Sequence, residues 1–391
     1  MKTLPALLFV SLFATTDAMA APPPLPVVPL PAVPVIPAPQ LNATAYILED
    51  YDSGQILAQY NPDMHAAPAS LTKLMTAFIT LSELSQHRLS LTQMMPVSVS
   101  AWKTGGSRMF LSPNTQVSVH DLLLGMLVPS GNDAATTLAQ DIGGTETAFV
   151  QMMNEEAAQL GMKNTHYADA TGLPEPDHYT TARDLATLAR AIIGDFPQYY
   201  HLFGHKWFEY DNIRQPNFNH LLFMDPTVDG LKTGHTSEAG YCLVASAKRG
   251  GRRLISVVLG DPTDMGSMID SENLLNYGFR AFENVLAYRK GQAVAQLPVW
   301  KGTQGTVPAG LDEDVVLSLP KGEAHSLKAA LTSRQPLVAP ITPGTRVGTL
   351  TLTLNGKALG SYPVVALKPV GLASFFGRTW DRIKLFVKAH G

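Results

Sequence analysis

Ala67-Pro68-Ala69-Ser70-Leu71-Thr72-Lys73-Leu74-Met75-Thr76-Ala77-Phe78 is a proline turn that runs straight into an apolar helical pattern. Pro68 suits the approach to a helix, and Leu71, Leu74, Met75 and Phe78 recur at helical spacing. Ser70 is therefore expected in the first turn, with Lys73 one turn on and on the same face, where hydroxyl and amine can meet. A helix N-terminus favours negative charge developing on Ser70. A lysine that is desolvated, or set near another cation, can lose its proton and act as a base. Taken alone, Ser-x-x-Lys is also the pattern of an N-cap serine followed by a solvated lysine, so other motifs must decide.

Toward the N-terminus, residues 45–51 and 55–60 flank Asp52-Ser53-Gly54 and predict a hairpin that leads into the Ser70 helix. Ahead of it, Lys2, the apolar run 7–14 and the small-residue site Ala18-Met19-Ala20 have the three parts of a secretory signal. Residues 1–20 are thus expected to be cleaved from an exported protein, the apolar run being too short to span a bilayer as a mature helix. Residues 21–40 are nearly half proline with valine, leucine and alanine between, a composition that no helix or sheet interior accepts. They read as an extended polyproline linker.

Toward the C-terminus, a helix is predicted over 119–127, stopping at Val128-Pro129, and a new apolar pattern begins at Ala134. Ser130-Gly131-Asn132 lies between the two. It can point two short polar side chains into one cleft, and by itself it is equally a helix-capping sequence. Further helices are predicted over 148–160 and 182–193, joined in part by Gly172-Leu173-Pro174-Glu175-Pro176-Asp177-His178. Val228-Asp229-Gly230-Leu231-Lys232-Thr233-Gly234-His235-Thr236 then precedes apolar strands at 241–247 and 254–260. Lys232, Thr233 and Gly234 fall at a strand edge, where a glycine permits close approach of a ligand backbone. An earlier Lys103-Thr104-Gly105 has no apolar strand behind it and runs into Gly106-Ser107, so it reads as a coincidence.

With 391 residues, 45% of them hydrophobic and 16% charged, the chain can build a sizeable core and two domains. A net charge of −3, with no P-loop and no RNA-binding signature, excludes nucleic acid as the expected partner. Cys242, the only cysteine, sits in an apolar run with no flanking charge to lower its pKa and reads as a buried, inert thiol. The eleven histidines contain no His-Glu-x-x-His and no zinc-type Cys/His pairing. His65, His87, His166 and His178 therefore read as surface or loop residues, and no metal or cofactor is expected. From about Gly291 short apolar runs at 315–319, 337–340 and 347–354, with an Asn355-Gly356 turn, predict a small all-β domain. Beyond Pro369 the pattern turns helical, with Leu372, Phe375, Phe376, Ile383, Phe386 and Val387 along one side and basic residues mostly on the other. That is the composition of an in-plane membrane anchor.

Ser-x-x-Lys at 70–73, Ser-Gly-Asn at 130–132 and Lys-Thr-Gly at 232–234 form a set far more specific than any one member. The set resembles that of penicillin-binding proteins and serine β-lactamases. With Ser-Gly-Asn in the middle and Lys-Thr-Gly-His-Thr at the end, the chain is most similar to low-molecular-mass penicillin-binding proteins that are D-alanyl-D-alanine carboxypeptidases. The resemblance implies an α/β two-domain architecture: a β-lactamase/transpeptidase-like domain with an antiparallel sheet flanked by helices over 41–287, a small β-rich domain over 288–368, and an amphipathic helix over 369–391.

It also implies roles. Ser70 would be the nucleophile, Lys73 its base and Ser130 the proton relay to the leaving amine. Asn132 would orient the substrate, Lys232 and Thr233 would bind its terminal carboxylate with help from His235 and Thr236, and the N–H groups of Ser70 and His235 would form an oxyanion hole. Peptidoglycan stem peptides would be the substrates, β-lactam antibiotics covalent inhibitors, and the location periplasmic, peripherally bound to the inner membrane. One departure stands out: where family members often carry a basic residue between two asparagines, this chain reads Asn217-Phe218-Asn219. Among rivals, a class A β-lactamase needs Glu-x-x-Leu-Asn, whereas the corresponding loop reads Glu175-Pro176-Asp177-His178. A D,D-endopeptidase on the same fold stays open, and a non-catalytic wall scaffold is disfavoured by intact Ser70, Lys73, Ser130, Asn132 and Lys232.

Overall fold

The computed structural model describes residues 37–375 and two short strands, Lys2–Thr3 and Val10–Phe13. The chain divides into one unit over Ile36–Arg280 and a second made of Ala281–Gly391 with Met1–Val35. Apart from the two strands and residues 37–40, the leader and linker expected over 1–40 lie outside the described residues.

In the first unit, β1 (Ala45–Asp50), β2 (Ile56–Tyr60), β3 (Val228–Thr236), β4 (Gly240–Arg249) and β5 (Arg252–Asp261) form one antiparallel sheet in the order β2-β1-β5-β4-β3. The sheet is covered on both faces, so its strands are apolar on both. Ile47, Val244, Ile255 and Val257 join the large helical core, while Leu48, Leu57 and Leu254 close around Gly278 of α6 (Asp264–Ala281). Arg253 on β5 reaches across β4 to grip both carboxylate oxygens of Asp229 on β3, at 2.6 and 2.7 Å, which ties the edge strand to the sheet centre.

The helical layer is built around α1 (Lys73–Ser85), which contacts α2 (Val119–Leu127), α3 (Asn132–Gly143), α4 (Glu146–Gln159) and α5 (Ala182–Asp195). Being surrounded, α1 is buried over most of its length: every residue from Leu71 to Leu81 is buried, Thr72, Lys73, Thr76 and Thr80 among them. Ser118, Thr145 and Thr181 cap α2, α4 and α5 through their hydroxyls. Cys242 is buried, and burial pushes its thiol up to about 11, as an inert thiol requires.

The second unit carries two sheets. β6 (Phe282–Tyr288) pairs with β9 (Val315–Pro320), and β7 (Ala293–Trp300), β8 (Thr306–Gly310), β10 (Leu327–Ser333), β11 (Leu337–Val338), β12 (Arg346–Leu354) and β13 (Lys357–Ala366) form the larger sheet. Val10–Phe13 pairs in parallel with β10, and Lys2–Thr3 with β6. Along β12, Leu350, Leu352 and Leu354 face the core while Thr349, Thr351 and Thr353 are half-exposed, the period of two that marked the segment as strand. Asn355 and Gly356 both take left-handed φ (50° and 81°) and turn the chain into β13.

The C-terminal helix expected from residue 369 does not start there. Val370 exchanges both backbone hydrogen bonds with Ile341 at 2.9 Å, and Ala373 N–H donates to Lys301 O at 2.9 Å, so the segment is extended up to residue 374. Unpaired β-domain backbone outcompetes helix formation here. Residues 376–391 lie outside the described residues. Among the described residues no helix is long and apolar enough to cross a membrane.

Candidate active site

Ser70 sits in a 3₁₀ turn, Ala69–Thr72, and not in the first turn of the α-helix as its sequence suggested; α1 begins at Lys73. Two features of the chain force the tighter winding: Ala69 has a left-handed φ of 48°, and the Leu71 N–H bonds Pro68 O at 3.1 Å. The half-buried Ser70 hydroxyl accepts a hydrogen bond from Lys73 Nζ at 2.8 Å, and Nζ also donates to the Thr171 carbonyl at 2.8 Å. Lys73 is fully buried. Burial, then the nearby charge of Lys232, holds its ammonium well below the usual lysine range, against the opposing pull of Asp169 and Asp133. At 2.8 Å, an amine that has given up its ammonium proton can turn its lone pair to the Ser70 O–H and accept that proton.

Ser130 lies on the connection between α2 and α3. Pro129 ends the first helix by removing a donor, and Ser130 takes a left-handed φ of 62°. Its hydroxyl is buried with no hydrogen-bond partner among the described residues. The capping role open to this triplet is not used: Gly131 is the N-cap of α3 and makes no side-chain cap bond. A strained backbone that holds an orphan hydroxyl is the signature of a group kept free for another partner. Asn132 is fixed from outside its helix, its N–H donating to Ser107 O (2.7 Å) and its Nδ2 to Gly105 O (2.6 Å). Asp133 takes the N–H groups of Met109 and Leu111, both at 3.0 Å, and pins the same loop. Gly105, the last residue of the earlier Lys103-Thr104-Gly105, and Ser107 just beyond it thus brace Asn132 with their carbonyls.

Lys232 lies on the edge strand β3. It is 1% exposed, donates to Thr233 O at 3.0 Å, and burial pushes its pKa down to about 7. Gly234 explains how β3 comes so near the serine: a Cβ there would lie 3.0 Å from Pro68 O and 3.1 Å from Leu71 N. The glycine makes room for the turn that carries Ser70, where the sequence suggested room for a ligand. Thr233 is half-buried, and His235 is exposed with its ring 4.0 Å from that of Tyr241. Asn217 and Asn219 are buried and structural: Asn217 Oδ1 accepts the Asn219 N–H at 2.8 Å, and Asn219 Nδ2 donates to Gly230 O at 3.2 Å. Phe218 between them is 41% exposed. Among the described residues no three His, Cys, Asp or Glu side chains come together as a metal-ligand set.

Residues 33–263 match the family model for D-alanyl-D-alanine carboxypeptidase, and residues 282–371 match that for the penicillin-binding protein 5 C-terminal domain. The chain belongs to the D-alanyl-D-alanine carboxypeptidase family. It is 42% identical over 358 residues to the D-alanyl-D-alanine carboxypeptidase DacC of Escherichia coli, covering 90% of each chain. The DacA enzyme of Haemophilus influenzae is 42% identical over 357 residues, covering 90% of this chain and 91% of its own. A crystal structure of penicillin binding protein 5 from Haemophilus influenzae superposes with a TM-score of 0.83 at 40% identity, covering 86% of this chain and all of that one. The two-domain architecture and the serine carboxypeptidase class expected from the three motifs are those of the family.

Sequence reasoning missed part of this carboxypeptidase's site. Thr171 and Asp169 were not singled out, because Thr171 contributes a backbone carbonyl that any residue possesses. His178, read as a surface or loop residue, is buried, with Nε2 2.9 Å from Thr72 Oγ1. It lies among Pro, Glu and Asp, a local composition that suggests exposure, and only the fold of the loop turns it inward. The signal available was Gly172, which has a φ of 89° and where a Cβ would collide with the Ala69 carbonyl.

Proposed function

We propose that this chain removes the terminal D-alanine from peptidoglycan stem pentapeptides through an acyl-enzyme on Ser70. The observation that carries the reading is the 2.8 Å hydrogen bond between Ser70 Oγ and a fully buried Lys73 whose ammonium is disfavoured. Neutral Lys73 takes the hydroxyl proton as Ser70 Oγ attacks the carbonyl between the two D-alanines. The N–H groups of Ser70 and His235 hold the oxyanion. As the C–N bond breaks, Ser130 passes the proton from Lys73 to the departing amine, and D-alanine leaves. Water then attacks the ester and regenerates Ser70.

Asn132 orients the peptide amides. Lys232, with Thr233 and His235, binds the free carboxylate, a charge-assisted contact that selects chain ends. With Phe218 where relatives of this type often have a cation, Lys232 carries that charge alone. A β-lactam enters the same sequence as a D-Ala-D-Ala mimic and leaves Ser70 acylated. Against a β-lactamase stands Glu175, the acid of the corresponding loop, which is exposed. The leader-like residues 1–20 and the amphipathic pattern of the tail support export and peripheral attachment to the outer face of the inner membrane.

D-alanine release from a pentapeptide ending in D-Ala-D-Ala tests the reading, with Ser70→Ala and a penicillin-treated sample in parallel. Release that disappears in both supports it. Release that persists in Ser70→Ala overturns it, and acylation by penicillin without release from the peptide shifts the assignment to an endopeptidase or scaffold.

A further inference from the structure

The back of the nucleophile turn is closed by a ring of buried polar groups. Thr72 stands between Ser70 and Lys73, and its hydroxyl lies 2.9 Å from Nε2 of His178. The other ring nitrogen of His178, Nδ1, faces the Asp169 carboxylate at 3.8 Å. Asp169 Oδ1 takes the N–H groups of Thr171 (2.5 Å) and Gly172 (2.6 Å) and the Thr171 hydroxyl (3.0 Å). The Thr171 carbonyl in turn takes Lys73 Nζ, and that nitrogen donates to Ser70. One hydrogen bond thus ties Thr72 to His178 and a second set runs from Asp169 through Thr171 to the amine itself; between the two arms His178 Nδ1, which has no hydrogen-bond partner among the described residues, approaches the Asp169 carboxylate at 3.8 Å. Both Thr72 and the His178 side chain are shut off from solvent, and the imidazole meets the Tyr167 ring edge-on at 5.8 Å.

Burial and the neighbouring His166 disfavour the imidazolium, while Asp169 favours it, and burial is the largest of the three. With one ring proton, the tautomer that carries it on Nδ1 faces the nearest negative charge, the Asp169 carboxylate at 3.8 Å, and lets Nε2 accept the Thr72 O–H. The contacts of His178 are with Thr72, Asp169 and Tyr167 and not with Ser70 or Lys73, so His178 acts on the reaction through its neighbours.

We propose that His178 is a positioning residue: it holds Thr72 on one side and faces Asp169 on the other, and so fixes the Thr171 carbonyl that aims Lys73 at Ser70. The inference rests on the Ser70 acyl-enzyme reading. It differs from simple packing in its consequence: loosening the ring misdirects a proton transfer without touching the groups that bind the ligand, and a displacement near one ångström is enough to cost orders of magnitude in rate.

Benzylpenicillin acylation followed by rapid mixing separates the two effects, since it yields a dissociation constant for the non-covalent complex and a first-order acylation rate. We would compare the full chain with His178→Ala, His178→Gln and Thr72→Val, each normalised to its folded fraction. His178→Ala and Thr72→Val are expected to slow acylation by about ten-fold or more with the dissociation constant within about two-fold of wild type. His178→Gln, whose amide can still take the Thr72 hydroxyl, should recover part of the loss. Acylation rates within about two-fold of wild type in His178→Ala, or a loss carried by the dissociation constant alone, would overturn the proposal. If His178→Ala does not fold, the isosteric Thr72→Val decides by the same criterion. No acylation of the wild type would instead remove the Ser70 reading beneath it.

Discussion

Replacing Gly172 by alanine tests how tightly the nucleophile turn is gripped from behind. Gly172 has a φ of 89°, and a Cβ there would collide with the Ala69 carbonyl and lie 2.9 Å from Thr72 Oγ1. Both atoms belong to the Ala69–Thr72 turn, and a backbone carbonyl cannot swing aside as a side-chain tip can. The left-handed backbone costs a residue with a Cβ about 1–2 kcal/mol, and overpacking a closed site adds about 1–3 kcal/mol, together about 2–5 kcal/mol. For a unit of this size that lowers the melting temperature by roughly 5 to 15 °C. Because the strained contact is with the turn that carries Ser70, acylation by penicillin should fall as well.

Gly161→Ala is the control. Gly161 also has a positive φ, 77°, but no atom lies within 4 Å of its would-be Cβ. Only the backbone term applies there, about 1–2 kcal/mol, and acylation should be unchanged. Thermal unfolding and an acylation assay on both variants are sufficient. Equal melting shifts for the two, with full acylation in Gly172→Ala, would refute the reasoning that this glycine exists to admit the nucleophile turn.

Two further outcomes are expected. Burial brings the Lys232 pKa down to about 7, so the cation proposed to bind the terminal carboxylate is present below that pH and lost as pH rises through it; KM for a D-Ala-D-Ala peptide should rise across this range, and Lys232→Gln should raise KM about 10- to 100-fold and flatten the dependence. A wild-type KM that is flat from acid to alkaline pH would contradict it. Asp270 is buried and held above the usual carboxylate range, first by burial and then by Asp261, while its Oδ2 accepts the N–H groups of Asn42 (2.8 Å) and Ala43 (3.2 Å). The folded state therefore binds a proton that the unfolded chain gives up, and stability from this group declines as pH rises from the unfolded pKa through the raised folded value. Asp270→Asn keeps an acceptor for both N–H groups and offers a donor to Asp261 Oδ2, which has no partner among the described residues; it should stabilise the protein at pH 7 by about 1 kcal/mol, seen as a higher melting temperature, and a lower one would contradict the assignment.

The elements that could be read from sequence were those whose side chains carry the period of their burial. The β1–β2 hairpin, α2 between Ser118 and Pro129, and α5 behind Thr181 are all fixed by local pattern and punctuation. The motif residues Ser70, Lys73, Ser130, Asn132 and Lys232 were named for the same reason, since the roles proposed for them fall to their side chains. What escaped reading is carried by backbone. The Thr171 carbonyl on Lys73, the Gly105 and Ser107 carbonyls on Asn132, and the pairing of Val370 with Ile341 leave no residue-type signature. His178 escaped because burial of a loop residue is decided by where the loop docks. The tight turn at Ser70 depends on the left-handed Ala69, which nothing in an alanine announces.

The central claim is that Ser70 is the atom-level site of covalent catalysis. The most direct measurement is intact-mass analysis of the protein after brief exposure to penicillin, followed by peptide mapping of the adduct. One equivalent of acyl group on the peptide containing Ser70, absent from Ser70→Ala and formed slowly in Lys73→Met, is the expected result. An adduct on another serine, or D-alanine release by a wild type that forms no adduct on Ser70, would contradict the account.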